Sequence, residues 1–332
     1  MNRARQVVLF VFGAGQDLDQ LRAGRDQRAE LFTVNLFGHP GSSPLYSRAQ
    51  MILSLGDLVV DITIVPEGPL RIDDDNPARI RIGGGGQAAN FCAWTASMGE
   101  PARLVTRVGD DDSGHRLVGE LRKVGVEVRP IYAPEPTGVI AVLVDPGGKR
   151  TMATQRGAST GLRAEDLRKE WFTDVRLIHV PAYSLFVEPI ASAAKAAIEL
   201  VRGAGGVLSI DLSSAAGLKE YGGARMAGEL TRLRPELLFA TEPEAEALGV
   251  PVEDLERLAK VPVIKLGPAG CSVFGDVIPA PRRKGVDPTG AGDAFAAAFS
   301  VFYLKGAPHL EAARRAVELA SQAADKMGAR PG

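Results

Sequence analysis

From residue 51 onward the apolar positions of this chain fall into two alternating rhythms. Short apolar and β-branched runs at residues 51–55, 103–108, 177–180, 207–212, 236–239 and 261–266 are separated by stretches with three- and four-residue spacing. Runs apolar on both faces suit strands covered on both sides, and the helical stretches between them supply that cover. The pattern therefore predicts an α/β fold with a mostly parallel central sheet. Helices are expected near 87–98, 113–124, 187–202 and 308–327, closed by Gly99, Gly125, Gly203 and Gly328. On the second of these, Leu117, Leu121 and Val124 mark the inward face.

Two regions follow period two instead. Residues 78–82 alternate, as do residues 138–144, which turn through Asp145-Pro146-Gly147-Gly148 into residues 149–155. Half-exposed antiparallel strands fit this pattern, and they predict a small β-sheet lid built from segments about 62–82 and 132–156. Residues 1–50 show no sustained periodicity. Asn2-Arg3-Ala4-Arg5 before the apolar residues 7–12 has the order of a signal peptide, but the run is short. The expectation is a poorly ordered extension at 1–50 on a cytoplasmic protein whose folded domain is 51–332.

Composition narrows the class of partner. The 332 residues are 45% hydrophobic and 24% charged, enough for a full core, and 40 acidic against 39 basic residues leave a net charge of -1. Neither a nucleic-acid footprint nor a polybasic membrane surface is expected, which leaves small molecules. Cys92 and Cys271 fall in predicted buried elements, His39, His115, His179 and His309 show no metal-ligand spacing, and no apolar run reaches transmembrane length.

Candidate chemistry is concentrated in two glycine-rich runs. Asp287-Pro288-Thr289-Gly290-Ala291-Gly292-Asp293 opens directly into an apolar helix with Phe295, Ala298, Phe299, Phe302 and Tyr303 on its buried face. Backbone N–H groups at such a helix start converge on an anion, and Asp293 in the first turn is placed to take a proton from an attacking hydroxyl. The plainer reading is an aspartate that caps a core helix. Gly83-Gly84-Gly85-Gly86-Gln87-Ala88-Ala89-Asn90 is the second run. Gly83-x-Gly85-x-x-Ala88 satisfies the dinucleotide fingerprint, so an NADP-dependent oxidoreductase is one alternative. Its context argues otherwise, since the preceding strand belongs to the lid and the following one ends on Arg107. Gly85 and Gly86 for close backbone approach, Asn90 as a polar fork and Asp61 just after the first strand instead suit a polyol.

Together, Gly85-Gly86-x-x-x-Asn90, Arg107-Val108-Gly109-Asp110-Asp111-Asp112-Ser113-Gly114 and the run from Asp287 to Asp293 resemble the signatures of the ribokinase-like (PfkB) carbohydrate kinases, over about residues 51–329. The resemblance implies a ribokinase-like three-layer fold and ATP-dependent phosphorylation of a sugar hydroxyl. It implies Asp293 as general base, Gly290, Ala291 and Gly292 as anion hole, and Asp61, Gly85, Gly86 and Asn90 as sugar contacts. It further implies Thr241, Lys265, Gly267 and Gly270 at the nucleotide, Glu244 holding Mg2+ through water, and Asp287 and Thr289 at a monovalent cation such as K+. Departures touch the substrate: Thr241 replaces the usual Asn, Val59 a polar sugar contact, and Gly148-Lys149-Arg150 an acidic lid position. Nucleoside kinases and 2-keto-3-deoxygluconate-type sugar-acid kinases share both signatures, and a non-catalytic sugar- or nucleotide-binding regulator is the alternative outside enzymes. An exposed lid also predicts a homodimer.

Overall fold

In β1 (Met51–Leu55), alternate side chains enter different cores: Ile52 lies in one hydrophobic cluster, Leu53 and Leu55 in another on the opposite face. The same division recurs across the large sheet and makes it the middle of three layers. This computed structural model describes residues 51–145, 150–282, 287–325 and 328–331. The expected extension at 1–50 and the lid turn at 146–149 lie outside the described residues.

After β1 the chain forms β2 (Val59–Pro66), β3 (Ala78–Gly85), α1 (Gln87–Ser97), β4 (Ala102–Gly109), α2 (Asp112–Lys123) and β5 (Val126–Ala133). A second hairpin, β6 (Thr137–Val144) and β7 (Arg150–Gly157), precedes β8 (Val175–Pro181), α3 (Tyr183–Phe186), α4 (Ile190–Gly203) and β9 (Val207–Asp211). Then come α5 (Ala215–Tyr221), α6 (Gly223–Leu233), β10 (Leu237–Thr241), α7 (Glu242–Leu248), β11 (Val261–Lys265), β12 (Cys271–Val273) and β13 (Asp276–Ile278), and finally α8 (Ala291–Leu304) and α9 (His309–Ala324).

The large sheet runs β13-β12-β11-β10-β9-β8-β1-β4-β5 and is parallel from β11 to β5. Chain order reverses beside β1, which opens a crevice at the strands' C-terminal ends, where ligands bind in such sheets. One core joins α1, α2, α8 and α9 to the sheet, and the other joins α4, α5, α6 and α7 to its far face. Phe239 of β10 meets Phe295 and Phe299 of α8 edge-on, with ring centres 6.0 and 5.6 Å apart. Each such buried ring contributes on the order of 1.5–3 kcal/mol, so the helix carrying Asp293 is pinned to the sheet.

The lid sheet has the order β3-β2-β6-β7. Its two hairpins are antiparallel as expected, but β2 and β6 join them in parallel. Several expectations need correction. Asp61 is not at a strand end but inside β2, paired with Gly83. Tyr132 and Ala133 belong to β5 of the large sheet, not to the lid. Val124 sits at the C-cap of α2 and is 46% exposed, because the helix has ended and no longer turns it inward. Gly203 lies within α4, and the left-handed turn that follows falls at Gly205.

Candidate active site

The first backbone bond within α8 runs from the N–H of Ala294 to the carbonyl of Gly290 (2.9 Å), so the N–H groups of Gly292 and Asp293 lie ahead of it in the open first turn. Gly290 is obligatory at the turn. Its φ is 77°, and a Cβ there would come within 2.2 Å of the Ala329 carbonyl oxygen. Asp293 accepts a bond on Oδ2 from Nδ2 of Asn90 at 2.9 Å. Burial pushes its carboxyl up to about 7, helped by the charges of Asp211 and Asp61 and opposed by Asn90 and Lys265. Such a group is half-ionised near neutral pH, where a general base works best.

Lys265, at the end of β11, approaches this turn from the sheet. Its Nζ donates to Oδ2 of the fully buried Asp211 at 2.5 Å and lies 3.7 Å from where a Cβ on Gly292 would stand. Burial works against its charge, but Asp211 and Glu244 outweigh burial and hold the ammonium above its usual pKa. A fixed cation therefore sits close to the first turn of α8. Asp211 was not anticipated, since a carboxylate ending a predicted strand reads as a solvated charge.

Thr241 and Glu244 occupy one another. The Thr241 side chain caps α7 at Glu244, whose Oε2 accepts the Thr241 N–H at 2.7 Å. Burial raises the Glu244 pKa although Lys265 lowers it. Among the described residues no three acidic, histidine or cysteine side chains cluster to hold a metal. A single carboxylate suits Mg2+, which keeps most of its ligands as water and phosphate, so Glu244 fits a supporting role. Gly267 and Gly270 form the turn after β11, and Gly270 is needed for packing, since a Cβ there would lie 1.9 Å from the Ile278 carbonyl.

The second glycine run is shaped largely from within. A Cβ on Gly84 would lie 2.1 Å from Nη1 of Arg330, one on Gly85 2.2 Å from the Asp61 carboxylate, and one on Gly86 2.2 Å from the Asp57 carbonyl. The close approach expected for a ligand at Gly85 is thus made by Asp61. Because the run lies on lid strand β3 and follows no strand of the parallel sheet, it lacks the setting of a dinucleotide fingerprint. Burial pushes Asp61 up to about 6 against the pull of Arg330, and its Oδ1 has no hydrogen-bond partner among the described residues.

Arg330, like Asp211, is a residue that sequence reasoning missed. Its Nε donates to Oδ1 of Asn90 (3.0 Å) and Nη2 to the Gly85 carbonyl (2.7 Å), while Nε1 of Trp94 holds the neighbouring Ala329 carbonyl (3.0 Å). Asn90 is thereby oriented, accepting from Arg330 and donating to Asp293. Burial lowers Arg330 to about 10 despite Asp61, Glu120 and Asp293. Only a Gly followed by Ala-Arg-Pro marks this segment in the sequence, with no local pattern to signal it.

At the loop before α8, Asp287 accepts from the N–H and hydroxyl of Thr289 (2.9 and 2.5 Å) and from the Gly328 N–H (2.9 Å). Burial opposes its charge, but these bonds and nearby Arg150 hold its carboxyl below the usual range. Arg150 of β7 donates to the Thr289 hydroxyl at 2.8 Å, which ties the lid to this loop. At the lid's root Arg156 grips Asp57 with two bonds of 2.8 and 2.7 Å. Asp61, Gly85, Asn90, Asp293 and Gly290 are thus brought to one place with Lys265 beneath it, while Gly267 and Gly270 form their own turn at the end of β11.

The sequence is 27% identical over 309 residues to ribokinase of Mus musculus, a match covering 82% of this chain and 87% of that protein. Its fold superimposes on adenosine kinase from Sinorhizobium meliloti with a TM-score of 0.76 at 25% identity, covering 86% of this chain and 96% of that one. A ribokinase II candidate from E. coli, solved in complex with ATP and Mg2+, gives a TM-score of 0.73 at 23% identity, covering 84% and 94%. The family description "pfkB family carbohydrate kinase" matches residues 49–332. With this match over residues 49–332 and a ribokinase-like fold, the chain belongs to the pfkB family of carbohydrate kinases, phosphotransferases that act on hydroxyl groups.

Proposed function

We propose that this protein transfers the terminal phosphoryl group of ATP to a hydroxyl of a sugar derivative, with Asp293 as the general base. The observation that carries this reading is the Asp293 carboxylate at the positive end of α8, bonded to Asn90 and titrating at about 7. The hydroxyl oxygen attacks the terminal phosphorus as its proton passes to Asp293, and the bond to the departing ADP oxygen breaks. Of the expected anion hole Gly290, Ala291 and Gly292, the Ala291 N–H already donates to the Pro288 carbonyl at 3.2 Å, so the Gly292 N–H, with Lys265 close by, best suits the charge that gathers on the transferred group. Asp61 and Asn90 suit the sugar, and the turn at Gly267 and Gly270 suits the nucleotide. Mg2+, with Glu244 as its supporting carboxylate, neutralises the phosphate oxygens when bound.

A coupled ADP-release assay over sugars, sugar acids, sugar phosphates and nucleosides tests the reading. Asp293→Asn should lower turnover by on the order of 10²–10⁴ with ATP affinity retained; near-normal turnover removes the base assignment. A nucleoside acceptor is the second reading, favoured by the likeness to an adenosine kinase. ATP consumption that ignores every added acceptor would instead point to a binding regulator.

We also propose that the lid pairs two copies of the chain. Ile80 and Ile82 of β3 are 63% and 62% exposed and face the same way as Ile64 and Ile62, their partners on β2. An apolar sheet face of this kind calls for cover. A monomeric mass in solution at micromolar protein refutes the pairing. ATP as co-substrate favours a cytoplasmic location, to be checked by cell fractionation; no described helix is long and apolar enough to cross a membrane.

A further inference from the structure

Asn90 is 5% exposed, and its amide is gripped at both ends: Oδ1 accepts from Nε of Arg330 at 3.0 Å, and Nδ2 donates to Oδ2 of Asp293 at 2.9 Å. An asparagine amide can turn over and exchange its accepting and donating ends. Here its sense is decided by Arg330. A guanidinium only donates, so the carbonyl end faces Arg330 and the NH2 end faces Asp293. Turned the other way, the amide would offer its carbonyl to Asp293, which could bond it only as the protonated acid. That form can accept no further proton.

Arg330 is itself held on three sides. Nη2 donates to the Gly85 carbonyl at 2.7 Å, Nε1 of Trp94 holds the Ala329 carbonyl at 3.0 Å, and the missing side chain of Gly84 leaves the space that the guanidinium fills. Ala329 also packs against Gly290 at the start of α8, so one short segment braces α1 and α8 together. The charges around it come from several elements. Asp61 of β2, Glu120 of α2 and Asp293 face Arg330, Glu120 also accepts from Arg116 at 2.6 Å, and burial keeps the nearby Cys92 thiol neutral. Asp287 acts on Asp61, Asp211 and Lys265 act on Asp293 from the sheet, and Arg81 stands beside Gly328 with a partner of its own. These groups bear on the site through their charge, whereas the Nε–H of Arg330 acts through its direction.

We infer that Arg330 is a positioning residue for phosphoryl transfer: by holding the carbonyl of Asn90 it keeps the amide NH2 on Asp293, so that the site favours the carboxylate, the form that takes the proton of the acceptor hydroxyl. This rests on the kinase reading of the same site. Arg330 acts through Asn90 and contacts neither the transferred group nor the base.

Two substitutions separate the donor from the charge. Nε2 of a glutamine stands as many bonds from the backbone as Nε of an arginine, where a methionine has a methyl group; Arg330→Gln therefore keeps a donor for Asn90 without the charge, and Arg330→Met removes both. ADP release is followed with whichever of ribose, ribose 5-phosphate, gluconate and adenosine the wild type turns over fastest. Arg330→Met should lower kcat by on the order of 10–100-fold at pH 6.5 with the KM for ATP retained. Its acid limb should rise by about one pH unit, so the defect shrinks toward pH 9, and Arg330→Gln should recover most of both losses. A wild-type limb in Arg330→Met, a limb displaced as far in Arg330→Gln, or a loss confined to KM overturns the inference. Where Arg330→Met does not melt cooperatively, Trp94→Phe frees the Ala329 carbonyl without altering the site and should move the limb the same way by a smaller step; an unmoved limb overturns the inference. Asp61 titrates in the same range, at about 6, so carboxyl-carbon NMR of aspartate-labelled protein follows Asp293 itself, assigned by its loss in Asp293→Asn. Its midpoint should rise by about half a unit or more in Arg330→Met and by less in Arg330→Gln. Should no acceptor release ADP, the kinase reading fails by itself, and this titration decides whether Arg330 positions the pair: the rise upholds it, and one midpoint in all three proteins overturns it.

Discussion

Asp293→Asn should make the protein more stable at pH 8 while removing the proposed proton acceptor. Burial raises the carboxyl from 3.8 to about 7. Below pH 3.8 the folded and unfolded states both keep the proton, so the group leaves stability untouched. Between about pH 4 and 7 the unfolded chain gives up the proton and the folded one does not, so stability falls as pH rises, then levels off. The full rise corresponds to ~4 kcal/mol. Asp293 is only partly buried, and solvent screening brings the effect nearer to about 2 kcal/mol. An asparagine carries no such penalty and still offers Asn90 an acceptor. In a domain of this size about 2 kcal/mol corresponds to a Tm gain of roughly 4 °C. Calorimetric melts of both proteins at pH 4.5 and pH 8 give the answer: the gain should be present at pH 8 and nearly absent at pH 4.5. Equal Tm values at pH 8, or the same gain at both pH values, would refute the reasoning, since packing rather than charge would then be at issue.

In the wild type, kcat/KM should fall about tenfold per pH unit below a limb near 7, the ionisation of the free enzyme's base; a pH-independent profile from 5.5 to 8 contradicts this. Lys265→Met strands the buried Asp211 carboxylate and should destabilise by about 3–5 kcal/mol in urea unfolding, with an unchanged midpoint counting against the pair's importance. Gly290→Ala forces a side chain into a left-handed turn 2.2 Å from the Ala329 carbonyl. It should lower stability by more than about 1 kcal/mol and collapse ADP release together, so a variant with wild-type melting and turnover refutes the assigned geometry.

Much of this molecule is legible because its signals are local. The six apolar runs became strands, since strands buried on both faces must be apolar along their length, and the helix behind Asp293 follows from the spacing of Phe295, Phe299 and Phe302. Signals weaken where context decides. β5 carries Pro130 and so reads poorly as a strand, yet it sits at the sheet's edge, where a missing N–H is tolerated. β12 and β13 are three residues each, too short for any period. Gly85 and Gly86 were legible as close contacts but not as contacts with Asp61 and Asp57, and the contact of Gly84 with Arg330 was not legible, because what fills the space above a glycine is set by the fold. The pairing of Lys265 with Asp211, 54 residues away, is hidden for the same reason.

Asn90 meets Asp293 across 203 positions of sequence and Arg330 across 240. During synthesis the N-terminal half emerges first, so Asp61, Asn90 and the lid exist well before the helix of Asp293 or the segment of Arg330 leaves the ribosome. A nascent chain, or one cut short by premature termination, therefore lacks either Asp293 or the arginine that orients Asn90. The constellation around Asn90 is therefore completed only when the last segment of the chain has been made.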